Sequence, residues 1–447
     1  MLITADWVLP VCAPPIRHGA LAVREGRIVE VGPAADLAAR WIDDPLEEFE
    51  GCILAPGLVN AHTHLALSVL EGMLPPGPLH PWLRPITRAI LGMSHEEFGV
   101  SSALGALESL LSGTTVVGDI SYGVETPEAC RELGVAGVFF WEVLGLHSHE
   151  LDDSLARRGY PGDGGPRGDT SSQASDARIR TGLSPHAPYS SGPALLQETW
   201  RRAREASVPF AIHVAESVDE ITLFREGAGP FVSQAERLAH GFEAPAATPV
   251  EYLDSLGVLE DSVCIHAVHV DDRDISLLAD KARGVVLCPR SNAYLENGAP
   301  PVAAMRAAGV RLALGTDSSA SNTDLDLFAE AAALRALDPS IPAEELLRMI
   351  TLSGAELLGV ADAFGSLREG SQADLVVVRT ASGASSHLST ENPAEVLLGA
   401  GASGGLEAVM SAGAWRVRDC VRAGGDGDLL EAAARVREHA AALVASE

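Results

Sequence analysis

Leu54-Ala55-Pro56-Gly57-Leu58-Val59-Asn60-Ala61-His62-Thr63-His64 is an apolar run that closes on two histidines one residue apart. In a β-strand, residues i and i+2 point to the same side, so His62 and His64 aim two imidazoles at one point. Neutral imidazole suits Zn2+, Fe2+ and similar borderline ions. One pair of ligands is half a metal site at best. Two polar residues in a loop explain the pair equally well until the rest of the chain is read.

Seven further apolar runs follow: Thr114–Ile120, Val135–Leu144, Ile179–Leu183, Phe210–Val214, Val263–His269, Gly284–Leu287 and Val310–Leu314. Helix-like spacers among them include Glu96–Leu111, Gly192–Ala206, Asp271–Ala282 and Pro301–Ala308. Continuous apolar strands alternating with helices imply a parallel sheet covered on both faces. Eight such units predict an α/β fold, a (β/α)8 TIM-like barrel over residues 55–365. A doubly wound open sheet is the rival, weakened because no GxGxxG follows the first strand.

The two ends read differently. Leu21–Arg24 and Arg27–Val31 flank Glu25-Gly26 as a hairpin would, and Ala373–Val378 and Ala408–Met410 are similar short strands. Residues 1–54 and 366–447 are therefore expected to form one small β-rich domain built from both termini, with a C-terminal surface helix at Leu429–Glu447. Gly162–Asp176 reads as a solvated loop.

Of the 447 residues, 32 are Lys or Arg and 61 are Asp or Glu, a formal charge of −29. That field repels phosphate backbones and anionic bilayers, so neither nucleic acid nor membrane is an expected partner. The six cysteines are scattered without a CxxC, the first 15 residues lack a signal-peptide pattern, and no apolar stretch is long enough to span a bilayer. A cytoplasmic location fits best. The single lysine, Lys281, lies in a polar helix-like stretch, which argues against Schiff-base, phosphate-loop and carbamylated-lysine chemistry.

In a barrel, reactive groups gather at the C-terminal strand ends. Strand four ends in Ser184-Pro185-His186-Ala187-Pro188-Tyr189, and strand five in His213-Val214-Ala215-Glu216. Strand six carries His266 and His269, strand seven ends in Cys288-Pro289-Arg290-Ser291-Asn292, and strand eight runs Gly315-Thr316-Asp317-Ser318. Each has an ordinary explanation alone: a core histidine, a surface carboxylate, or a helix N-cap for Asp317. His269 is read as structural because it sits three residues from His266. His147-Ser148-His149 repeats the spacing of the first pair but enters a polar loop, and is read as solvated. Together, His62, His64, His213 and Asp317 form a mononuclear site for a divalent ion with room for water. Zinc brings such a water to a pKa of about 7. Glu216 can carry protons to a ring nitrogen, and His266 with Asp317 can accept the water's proton. The chemistry is hydrolytic deamination, or hydrolysis of an amide or C–halogen bond.

Pro56-Gly57-Leu58-Val59-Asn60-Ala61-His62-Thr63-His64, Ser184–Tyr189, His213-Val214-Ala215-Glu216-Ser217 and Gly315–Ser318 resemble the amidohydrolase superfamily, in its cytosine, adenosine-analogue and guanine deaminase branch. The resemblance implies metal ligation by His62, His64, His213 and Asp317, a proton shuttle at Glu216, and a water-polarising role for His266. It implies substrate contact at His186, as in methylthioadenosine/adenosylhomocysteine deaminases. Zn2+ is the first choice of ion, with Fe2+ or Mn2+ compatible with the same donors, and a homodimer is common among such enzymes.

Gly227–Phe231, Pro249–Leu253, Cys288–Leu295 and Ala320–Asn322 look most like aminodeoxyfutalosine deaminases of menaquinone synthesis. That substrate carries a benzoate, which makes Arg84 and Arg290 candidate partners. Asn292 and Ser319 are further candidates for the pocket wall. Trp82 is placed to stack on a base, or to serve as an apolar plug. The expected reaction is release of ammonia from a 6-aminopurine nucleoside, best 6-amino-6-deoxyfutalosine, then methylthioadenosine, adenosylhomocysteine or adenosine. Alternatives are a deaminase or chlorohydrolase of another heterocycle (guanine, a pterin, an s-triazine), and a non-catalytic barrel used as a scaffold.

Overall fold

A computed structural model describes residues 1–145, 147–160, 178–233, 243–380, 392–419, 421–422 and 426–445. The expected loop at 162–176 lies outside the described residues. Eight parallel strands build the barrel in two halves. Leu58–Thr63, Thr114–Ser121, Ala136–Val143 and Ile179–Pro185 pair in order, as do Ala211–Val214, Val263–His266, Gly284–Leu287 and Leu312–Leu314. Single parallel bridges, Leu183 to Phe210 and Thr63 to Asp317, close the cylinder at two seams.

Ala61, Ile120, Val138, Phe140, Ala211, Ile265, Val286 and Ala313 meet inside the cylinder. Phe139, Trp141, Leu183 and Val214 face outward, into the layer beneath the helices. This is the period of two expected of strands buried on both faces. Arg180, at the start of strand four, donates to Gly359 O at 2.9 Å, and Arg283, just before strand seven, donates to Leu357 O at 3.4 Å. Residues 357–359 therefore lie across the N-terminal end of the barrel, opposite the strand ends that carry the polar residues.

Both termini contribute to a second, eight-stranded sheet. Its order is Val421–Arg422, Ala414–Arg418, Leu406–Ser411, Leu375–Arg379, Leu46–Pro56, Leu2–Val8, Ile16–Arg24, Arg27–Pro33.

Three features differ from the sequence reading. The run Leu54–Asn60 is divided at Gly57: residues 54–56 finish a strand of the terminal sheet and 58–63 begin the barrel. Apolar character alone does not say which sheet a strand joins. A Cβ on Gly57 would lie 2.2 Å from Thr115 Oγ1, so the crossover takes glycine. Strand six stops at His266 rather than His269, because His266 and Ala267 adopt φ of +72° and +45°. Finally, the helix Gly427–Ala445 does not lie on the terminal sheet. Ala433, Val436 and Ala440 pack with Leu67, Val69, Leu70 and Ile86, over the turn that follows His64. Arg437 donates to Val69 O at 3.0 Å and Glu71 O at 2.8 Å. Among the described residues no helix is long and apolar enough to cross a membrane.

Candidate active site

The polar groups converge at the C-terminal ends of the strands, beside both seams. His62 and His64 come from strand one and Asp317 from the end of strand eight, across one seam; His186 and His213 face each other across the other. Asp317 Oδ1 lies 3.4 Å from His62 Nε2 and 3.5 Å from His64 Nε2. The His62 and His213 rings are 4.9 Å apart, and those of His62 and His266 5.7 Å. Strand eight can approach strand one this closely because residue 315 is glycine: a Cβ there would lie 2.7 to 2.8 Å from His62 backbone and Cβ atoms. Asp317 takes φ of +59°, a left-handed geometry shared with His266. Such backbone strain persists only where surrounding structure imposes it.

Ring orientation is set by the second nitrogen. His213 Nδ1 donates to His186 O at 2.7 Å, which turns its Nε2 toward the centre. His266 Nδ1 donates to Asn292 Oδ1 at 3.0 Å. His64 Nδ1 is 3.4 Å from the Tyr122 hydroxyl. Both ring nitrogens of His62 are buried with no hydrogen-bond partner, a state a coordinated cation satisfies. Asp317 is held by hydroxyls: Ser291 and Ser321 donate to Oδ2 at 2.6 and 3.0 Å, leaving Oδ1 toward the histidines.

The electrostatics favour ligation. Burial, reinforced by His62, lowers His64 to about 3, and burial with the charges of neighbouring histidines holds His213 well below its ordinary value. Both rings are therefore neutral ligands. Burial alone would raise the Asp317 carboxyl, but contact with His62 and the nearby His64 and His266 holds it well below the usual carboxylate range. One ligand atom from each of His62, His64 and His213, or from each of His62, His266 and Asp317, lies within 4.8 Å of the others. The donor set fits a divalent ion: three buried imidazoles and one ionised carboxylate, with the second ring nitrogen of His213 and the second oxygen of Asp317 tied down.

Glu216 sits beside this set. Its Oε1 lies 3.7 Å from His266 Nε2 and accepts from Asn297 Nδ2 at 3.1 Å. Burial pushes its carboxyl up to about 7. Glu220, also pushed to about 7 by burial, accepts from the Glu216 backbone N–H at 2.9 Å. His186 ties Nδ1 to Ser190 Oγ at 2.7 Å, and burial lowers its pKa.

The remaining expectations divide. Arg290 already has partners: Asp324 flanks its guanidinium at 2.5 and 2.8 Å, Thr323 also contacts it, and Glu330 is 3.8 Å away. Asn292 faces His266, a positioning contact. Arg84 is exposed on the helix Leu79–Gly92. Trp82 packs between two apolar clusters, with its indole nitrogen buried and unpartnered. Ser319 is fully buried with an unpartnered hydroxyl. His147 and His149 are exposed and stack on each other. Sequence reasoning gave no role to Ser291, Ser321, Asn297, Glu220 and Tyr122. Ser291 and Ser321 lie inside motifs already quoted, but a serine carries no sign of its partner.

The sequence profile of the amidohydrolase family matches residues 53–415, and that of a bacterial imidazolonepropionase-like composite domain matches residues 19–41. A 5-methylthioadenosine/S-adenosylhomocysteine deaminase from Moorella thermoacetica is 33% identical over 393 residues, covering 85% of each chain. The crystal structure of an adenosine deaminase from Xanthomonas campestris with bound zinc superposes with a TM-score of 0.81 at 27% identity, covering 98% of each chain. Helicobacter pylori aminofutalosine deaminase, in complex with methylthio-coformycin, shares the fold with a TM-score of 0.77 at 22% identity, covering 93% of this chain and 100% of its own.

Proposed function

The chain belongs to the amidohydrolase family, and from that premise we propose that it is a metal-dependent hydrolytic deaminase of a 6-aminopurine nucleoside. Water replaces the 6-amino group, giving the 6-oxopurine and ammonia. The observation that carries this reading is Glu216, a buried carboxyl pushed up to about 7 and 3.7 Å from His266 Nε2. A group that titrates near neutrality both takes and gives a proton at working pH.

His62, His64, His213 and Asp317 would hold the ion, which when bound supplies a Lewis acid that makes water nucleophilic near neutral pH. His266 and Asp317 orient that water, with the ionised Asp317 as acceptor. Glu216 moves a proton to the purine ring nitrogen and then to the departing amine. His186, its Nδ1 fixed by Ser190, offers Nε2 to the substrate. Zn2+ is the expected ion, with Fe2+ and Mn2+ the alternatives.

The relative named above favours an adenine nucleoside with a 5′ thioether. The motifs at 227–231 and 288–295 favour the benzoate-bearing aminodeoxyfutalosine, and with it a place in menaquinone synthesis. With Arg290 held by Asp324, that second substrate would draw on Arg84. Turnover of adenosine, methylthioadenosine, adenosylhomocysteine and aminodeoxyfutalosine, followed by loss of the adenine ultraviolet band, ranks them. Glu216→Gln should lower kcat by about 10²–10⁴-fold at unchanged metal content. Full activity in that variant would overturn the reading.

A further inference from the structure

The chemistry above gives no role to one buried charge at the mouth of the barrel. Glu142 lies at the end of strand three, paired in register with Ser184 of strand four. Along strand three, Ala136, Val138 and Phe140 face the inner cluster, while Phe139, Trp141 and Val143 face the outer one. The period of two puts Glu142 on the inner side, directly above Phe140. It is 4% exposed.

Its carboxylate makes no hydrogen bond among the described residues. Its ion-pair partner is Arg158, whose Nη2 lies 3.7 Å from Oε2, beyond hydrogen-bond distance. Arg158 is anchored elsewhere: Nη1 donates to Tyr122 O at 3.2 Å and the guanidinium lies 5.5 Å over the Tyr122 ring. The arginine thus balances the charge of Glu142 without filling its acceptor sites. A carboxylate has about four such sites, so nearly all of its acceptor capacity is left for a ligand. The Ser184 hydroxyl, from the register partner, is buried and unpartnered. Tyr122 links this corner to His64, and His186, two residues on from Ser184, links it to His213.

Three occupants can be compared. A cationic substituent would meet Arg158 at close range and be repelled. A second metal ion would need three converging donors, and among the described residues Glu142 belongs to no such group. A neutral pair of adjacent hydroxyls supplies two O–H donors to one carboxylate and leaves the arginine undisturbed. We propose that Glu142 is the specificity-determining residue that receives the 2′ and 3′ hydroxyls of the nucleoside's ribose, with Arg158 holding its charge in place. The base then lies toward Glu216 and the sugar toward strands three and four. This rests on the nucleoside reading of the site.

The metal-loaded enzyme is compared with its Glu142→Ala and Glu142→Gln variants on adenosine and 2′-deoxyadenosine. Hydrogen bonds to a charged group imply that Glu142→Ala loses about 10–100-fold in kcat/KM on the riboside, mainly through KM. The deoxyriboside should change by no more than about 3-fold, and Glu142→Gln, keeping one acceptor, should fall between. Equal losses on both substrates would overturn the assignment. Titration calorimetry of inosine and 2′-deoxyinosine reads the contact without turnover: wild type should bind the riboside more tightly, and Glu142→Ala should erase most of that difference. Equal wild-type affinities, or no binding of either, would overturn it. A wild type that deaminates nothing yet binds inosine in preference to 2′-deoxyinosine would sink the deaminase reading and keep this one.

Discussion

Asn292 accepts the Nδ1 proton of His266 at 3.0 Å, and that one bond decides which ring nitrogen faces Glu216, 3.7 Å from Nε2. The bond leaves Nε2 turned toward Glu216 and the candidate ion site. Partners of this kind typically matter by about 10–100-fold. Asn292→Ala should lower kcat by that factor while metal content, set by other residues, stays unchanged. Wild-type kcat in the variant would separate His266 from the chemistry.

Ser291 and Ser321 fix Asp317 through Oδ2, so its Oδ1 is pre-aimed. Ser291→Ala should weaken metal affinity by about 10–100-fold, read by competition with a chelator. The double variant with Ser321→Ala should lose more. Unchanged affinity in both would mean that the aspartate is positioned by its backbone alone.

Burial pushes Asp119 and Glu220 up to about 7 and Glu330 up to about 8. In the unfolded chain such groups titrate near 4. Between those values the folded state binds more protons, so stability falls as pH rises. His64, His186 and His213 are shifted downward and act oppositely, but only below their ordinary value near 6.5. The metal-free protein should therefore lose Tm steadily from about pH 6.5 to 8.5. Glu330→Gln should give a shallower slope over the same interval. A Tm that is flat or climbs there would contradict the carboxyl argument.

The C-terminal helix should matter to metal retention although it contributes no ligand. Arg437→Ala removes two hydrogen bonds to the backbone after His64. It should cost roughly 1–3 kcal/mol, less than two fully buried charged bonds because Arg437 is half-exposed. Tm and retention against a chelator should both drop. Arg435→Ala, which breaks only an exposed pair with Glu431, should change neither.

The barrel could be read from sequence because its strands are continuously apolar and its helices carry their own start signals, such as the Ser94/Glu97 capping box. The converging histidines were visible because each lies within or just beyond such a run. The division at Gly57 was not, since Leu54 and Leu58 are equally apolar and only three-dimensional pairing tells them apart. Nor was Arg290: a guanidinium's partner, here Asp324, is fixed by tertiary geometry. The landing place of the last helix was hidden for the same reason, because an Ala-rich face fits many grooves. Ser291 and Ser321 were missed because hydroxyl orientation leaves no periodic trace.

The two seams have a mechanical consequence. His62 and His64 belong to one half of the cylinder, and His213 and Asp317 to the other, where single bridges replace a full ladder. A cation gripped by all four would rivet two half-shells together. Chelation should then loosen amide exchange first along Thr63, Leu183 and Phe210, long before the strand interiors yield.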